Sequence, residues 1–203
     1  MDMSEKELRD LVISAAALAL AFTILFLHGF DAFAKNTLGE FVSVFVMSLI
    51  GVSLGFVLHE LGHRYVARKF NCFAEFTLWP IGLVLAVVSS FFGLIFAAPG
   101  AVMIYPKTDM WGTVYLSPRK LGLISISGPA MNVALSIVFL LLYFQLPWTV
   151  FELGAWINAW LAAFNLIPFA LLDGLKIFRW DKRIWGISVA VVLSLMIFQI
   201  ATV

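Results

Sequence analysis

Residues 41–63 read FVSVFVMSLIGVSLGFVLHELGH. Eighteen uncharged residues, 41–58, run directly into His59-Glu60-Leu61-Gly62-His63. A membrane-spanning helix needs roughly 20 mainly apolar residues, so this stretch reads as a spanning helix that closes on three ionisable side chains. Ionisable groups in such a place are costly and mark function by default. Positions i and i+4 of a helix share one face, a turn apart. His59 and His63 therefore offer two imidazole nitrogens to one metal ion. Glu60 points beside that pair, where its carboxylate can take a proton from a water that the metal activates. A polar, solvated helix end leading into Arg64 is the plainer reading. The uncharged run before His59 argues against it.

Composition places the rest of the chain in the same solvent. Of 203 residues, 63% are hydrophobic and 12% charged, and mean hydropathy is +1.02. A soluble domain is nearer half apolar and a quarter charged, which excludes a soluble enzyme, a disordered chain and a nucleic-acid module. The net charge of +1 provides no basic field for nucleic acid. Cys72 is the single cysteine, so no disulfide framework or cysteine-cluster metal site exists.

Five further stretches lack charge: 11–30, 76–106, 121–151, 153–172 and 184–203. The first has an acidic flank (Asp2, Glu5, Glu7, Asp10) and too great a length for a cleaved signal, so it reads as a retained helix. Lys and Arg in short loops favour the cytoplasm. Basic residues follow the second stretch (Arg64, Arg68, Lys69), the third (Lys107, Arg119, Lys120) and the fifth (Lys176, Arg179, Lys182, Arg183). Six full spans would put the 107–120 loop outside. A segment at 76–106 that enters and leaves on one face puts every basic loop inside, and Pro80, Gly82, Pro99 and Gly100 break it near both ends. An ordinary sixth span with an exceptional loop is the alternative. The expected fold is an all-α membrane protein: a bundle of five to six transmembrane helices with a re-entrant or short-strand segment near residues 76–106.

Two histidines do not complete a catalytic zinc site, which usually has three protein ligands. His28 lies at the far end of the first stretch and reads as an interfacial polar tip. Cys72 stands past the basic turn. Glu152 is at the wrong end of the fifth stretch, and Glu75 reads as a loop residue. Asp173 closes the fifth stretch at about the depth of His59 and His63, which makes it the third candidate ligand. Pairing with Lys176 or Arg179 is its alternative role.

His59-Glu60-Leu61-Gly62-His63 on a membrane helix, followed by Gly128-Pro129-Ala130-Met131-Asn132 and by Asn165-Leu166-Ile167-Pro168-Phe169-Ala170-Leu171-Leu172-Asp173-Gly174, resembles the site-2 protease family of intramembrane zinc metalloproteases. The likeness runs from about Phe41 to Trp180. This chain has Phe169-Ala170-Leu171-Leu172 where many members carry a second proline, and a hydrophobic insert around Leu83 to Phe96. The resemblance implies one zinc held by His59, His63 and Asp173, with Glu60 as the base. The length reads as a single transmembrane protease domain over 1–203 with a catalytic core at about 41–180, and the expectation is that it carries no appended domain of the PDZ or nucleotide-sensing kind that some members have. The substrate would be a membrane protein with a transmembrane segment, cut in the cell membrane toward the cytoplasmic side.

Asn132 and Asn165 are amides in apolar helices and need partners. Each is a candidate for oxyanion stabilisation or substrate binding, or else a helix–helix hydrogen bond. A helical substrate must unwind to present a peptide bond, and an extended edge from Phe76–Trp79 or Ala97–Tyr105 would receive it by strand addition. The competing functions are a membrane metal transporter or sensor, and an inactive homologue serving as an interaction partner.

Overall fold

A computed structural model describes residues 3–106, 116–169 and 172–202. The order is α1 (Glu5–Phe26), α2 (Asp31–Ala34), α3 (Leu38–Lys69), β1 (Cys72–Leu78), α4 (Pro80–Ser90), β2 (Gly100–Pro106), α5 (Pro118–Gln145), α6 (Thr149–Asn165), α7 (Asp173–Trp180) and α8 (Lys182–Thr202). The protein is mostly helical, with one two-stranded antiparallel sheet. Among the described residues, α1, α3, α5 and α8 are long and apolar enough to cross a membrane. Lys107, one of the basic residues used above to orient the loop before α5, lies outside the described residues.

Local sequence sets the helix ends. Ser4 accepts from the Glu7 N–H to open α1. Thr37 and Glu40 form a reciprocal capping box at α3. Ser117 caps α5 just before Pro118, and Pro80 occupies the first turn of α4, where its missing N–H costs nothing. The α3 helix has 32 residues and carries the basic turn as its own last turns. The fifth apolar stretch is helical only to Asn165, which leaves α6 with 17 residues. Pro168 disfavours helical backbone at Ile167, so a turn follows and Asp173 opens a separate helix, α7, rather than ending α6.

The α3 helix is central, packed against α1, α5 and α6. Small residues let the backbones approach, as is usual where lipid removes the hydrophobic drive between helices. A Cβ on Gly51 would sit 3.2 Å from the Gly154 Cα, and one on Gly55 2.5 Å from Asn158 Oδ1. These neighbours show α6 running parallel to α3. The same offset brings the C-terminal end of α6, and the chain leaving it, to the level of His59.

The 76–106 segment is a hairpin interrupted by a helix. Its strands pair from Cys72↔Pro106 to Leu78↔Gly100, so the chain leaves β1, runs through α4 and returns beside its starting point. Glu75, expected in a loop, lies within β1. Glu7 and Asp10, of the acidic flank, are buried in α1. The Arg64 guanidinium donates to Glu7 Oε1 at 2.6 Å, and the Phe76 N–H donates to the same oxygen at 3.2 Å. One carboxylate thus joins α1, the end of α3 and the outer edge of β1. Removing one partner of such a buried pair leaves an uncompensated charge, at a cost of about 3–5 kcal/mol.

Candidate metal centre

Three elements deliver one cluster. The α3 helix supplies His59, Glu60 and His63, α7 supplies Asp173 from its first turn, and α5 backs them. All four side chains are buried. His63 Nε2 lies 2.8 Å and His59 Nε2 3.4 Å from Asp173 Oδ2, and the two Nε2 atoms are 3.0 Å apart.

The hydrogen bonds behind the rings fix their tautomers. His63 Nδ1 lies 2.7 Å from the Ile124 carbonyl, which can only accept, so Nδ1 carries the proton. Asn132 Nδ2 donates to the Gly55 carbonyl at 3.1 Å and to Asn158 Oδ1 at 3.1 Å. Its Oδ1 is left to accept from His59 Nδ1 at 2.6 Å. In the neutral rings both Nε2 atoms therefore present lone pairs. They face each other and a carboxylate oxygen, an arrangement that is repulsive without a cation among them. Donors around one tetrahedral zinc stand about 3.3 Å apart, given bonds of about 2.0–2.1 Å. The three separations bracket that value, so the residues fit a zinc ion.

The α5 helix is shaped for this. A Cβ on Gly128 would lie 2.6 Å from His59 Nε2 and closer still to His63 Nε2. Only glycine leaves the space where the donors meet. Pro129 cannot donate to the carbonyl one turn earlier and its ring presses on that turn, which also contains the Ile124 carbonyl that holds His63. Asn132 follows one turn later. The Gly128-Pro129-x-x-Asn132 motif thus lines one side of the cluster.

Glu60 Oε2 is buried without a hydrogen-bond partner among the described residues. It borders a cavity of about 270 Å³ shared with both histidines, Asp173, Lys176 and residues 97–104. A lone buried carboxylate oxygen beside a cavity is placed to meet water or substrate. Asp173 Oδ1, turned from the histidines, accepts from Lys176 Nζ at 3.2 Å. Gly174 follows because a Cβ there would meet the Leu166 and Ile167 carbonyls.

His28 is exposed in the turn between α1 and α2, at a positive φ of 65°, and Cys72 is buried in β1. Neither belongs to the cluster. Asn165 borders the cavity and donates to the Leu161 carbonyl of its own helix at 3.0 Å. Asn132 faces His59 rather than open space, with its amide hydrogens engaged. Sequence reasoning missed Asn158 and the Ile124 carbonyl. An asparagine in an apolar helix signals the first, while nothing in the sequence signals a backbone acceptor.

The model of the peptidase family M50 matches residues 47–149. A Methanocaldococcus jannaschii protein described as "Putative zinc metalloprotease" is 37% identical over 97% of this chain and 95% of its own. Rip2 of Mycolicibacterium smegmatis, with the same printed description, is 25% identical over 66% of this chain and 57% of its own. No solved structure matches. The family model over half the chain and the archaeal relative over nearly all of it show that this chain belongs to peptidase family M50, the site-2 protease family.

Proposed function

We propose that the chain is a zinc-dependent intramembrane endopeptidase in which His59, His63 and Asp173 hold one zinc and Glu60 is the general base. The observation that carries this is the meeting of three lone-pair donors beside a partnerless buried carboxylate, inside a set of apolar helices. Bound zinc supplies a Lewis acid that polarises a carbonyl and makes water nucleophilic near neutral pH. Glu60 takes the proton of the attacking water and returns it to the leaving amine. Asn132 and Ile124 keep both imidazoles turned with Nε2 forward. Asn132→Ala is expected to weaken zinc binding about 10–100-fold, as loss of such a supporting partner typically does. Competition with a chelator reads the change, and unaltered affinity refutes the role.

Substrate binding follows from the sheet register. The Phe76 N–H points to Glu7, and Trp79 N–H donates to the Pro99 carbonyl at 2.8 Å. In an antiparallel pair such roles alternate. Residues 99, 101, 103 and 105 therefore bond to β1, while Gly100, Val102 and Ile104 point their N–H and C=O groups away from it. Glu7 takes the Phe76 N–H at the outer edge of β1, a strand that packs against α1 and α3. The outer edge of β2 pairs with no strand among the described residues, and β2 residues 100–104 border the cavity. An unwound transmembrane segment adds there as a third strand. Val102→Pro removes one outward donor and leaves the hairpin ladder intact. It is expected to raise KM about fivefold to tenfold, the worth of one hydrogen bond at about 1–1.4 kcal/mol, with zinc retained. Ala101→Pro or Met103→Pro breaks the hairpin instead. An unchanged KM in Val102→Pro excludes strand addition at this edge.

The reading includes a multi-pass protein of the cell membrane, a single protease domain over 1–203 with its core at about 41–180, and an active site toward the cytoplasm. Five helices span, and 76–106 enters and leaves on one face. The adjacent ends of β1 and β2 support this, as do the basic residues at the end of α3, the start of α5 and along α7. A reporter placed at Arg119 is expected to read cytoplasmic; an external reading rejects the topology. The function is tested by zinc content and by cleavage of a membrane-helix substrate with and without chelator. Cleavage that chelator leaves unchanged rejects it.

A further inference from the structure

We infer that Lys176 is a further catalytic residue, whose ammonium group meets the scissile carbonyl oxygen as that oxygen becomes negative. This rests on the proteolytic reading above. Lys176 stands one helical turn after Asp173, and its Nζ lies 3.2 Å from Asp173 Oδ1, the carboxylate oxygen not turned to the histidines. That bond uses one of three ammonium hydrogens. The side chain is 31% exposed and borders the same cavity as Glu60. Among the described residues around that cavity it is the one permanent cation.

Most of the other polar donors nearby are engaged, and those that remain, such as the Ser125 hydroxyl and one Asn165 amide hydrogen, are uncharged. Both histidine Nδ1 protons go to Ile124 and Asn132, both Asn132 amide hydrogens go to Gly55 and Asn158, and one Asn165 amide hydrogen goes to Leu161. A charge that appears only during reaction is best met by a donor already held in place. Asp173 holds Lys176 in place, and the short reach of the i,i+3 pair keeps the ammonium beside the ligand cluster. When water oxygen bonds to the carbonyl carbon, the C=O π pair moves onto oxygen, beside Lys176, and the water proton passes to Glu60. When the pair returns, the C–N bond breaks and the proton goes to the amine nitrogen. Lys176 keeps its proton throughout and acts by charge and hydrogen bonding.

The test compares the full-length protein with Lys176→Met, Lys176→Gln and Lys176→Arg. The substrate is a quenched-fluorescent peptide with one transmembrane segment, and the probe is a peptide phosphinate that mimics the tetrahedral anion. Met and Gln variants are expected to keep one zinc per chain and a KM within about threefold of wild type. Their kcat should fall about 10²–10³-fold, the usual loss for one oxyanion donor, with phosphinate affinity falling by a similar factor. Lys176→Arg should recover most of both. Zinc loss in step with kcat would assign Lys176 only to holding Asp173 and overturn the inference. So would an unchanged kcat, or an Arg variant no better than Met. If zinc-loaded wild type shows no chelator-sensitive cleavage, the proteolytic reading itself fails, a result distinct from any of these.

Discussion

Glu60→Gln is expected to lower turnover about 10²–10⁴-fold, the usual worth of a general base, while one zinc per chain remains. Gln matches Glu in shape, so no void opens, and the lost property is the capacity to accept a proton. His59→Ala, His63→Ala and Asp173→Ala are expected to fail differently, with zinc content falling sharply and activity with it. The contrast separates the functions. A protease stops when Glu60 is neutralised although its metal stays, whereas a transporter built on the same three ligands would be far less affected. The checks are zinc per chain by elemental analysis and cleavage of the membrane-helix substrate. Wild-type turnover by Glu60→Gln would remove it from the mechanism, and a full zinc complement in Asp173→Ala would remove that ligand.

Gly128→Ala is expected to be as damaging as loss of a ligand, although it removes nothing. Alanine is the better helix former by about 0.8–1.0 kcal/mol, so α5 itself should gain. The added Cβ would lie 2.6 Å from His59 Nε2 and nearer to His63 Nε2, in the space where the donors converge. Zinc content should fall close to zero while the folded bundle keeps its thermal stability. Gly62→Ala is the control: its Cβ would lie 3.1 Å from Met131 Cγ and 3.2 Å from the Ser127 carbonyl, contacts that a slight shift relieves. Most zinc should remain there. Equal zinc in both variants would contradict the packing argument.

Particular residues show how far the sequence carries. The 18 uncharged residues before His59 determined a membrane helix, since lipid admits only backbone that satisfies itself. The i,i+4 histidines with Glu60 determined the chemistry offered, because helical periodicity is local. The Asn165 to Gly174 motif pointed to a carboxylate at matching depth, and Asp173 does lie beside the histidines. The proline and glycine pairs at 76–106 announced broken structure, which proved to be two strands around α4.

Tertiary structure alone decided the rest. The burial of Glu7 depends on Arg64, 57 positions away. An acidic residue near a chain end reads as solvated until its partner is in place. The roles of Asn132 and the Ile124 carbonyl came from the packing of α5 against α3, which sets the tautomers of His59 and His63. The outer side of β1 was likewise settled by distant packing, against α1 and α3, where Phe76 donates to Glu7. Local periodicity and composition are written residue by residue. Pairings between distant residues arise only when helices approach within hydrogen-bond reach, and one chain read in order contains no record of that approach.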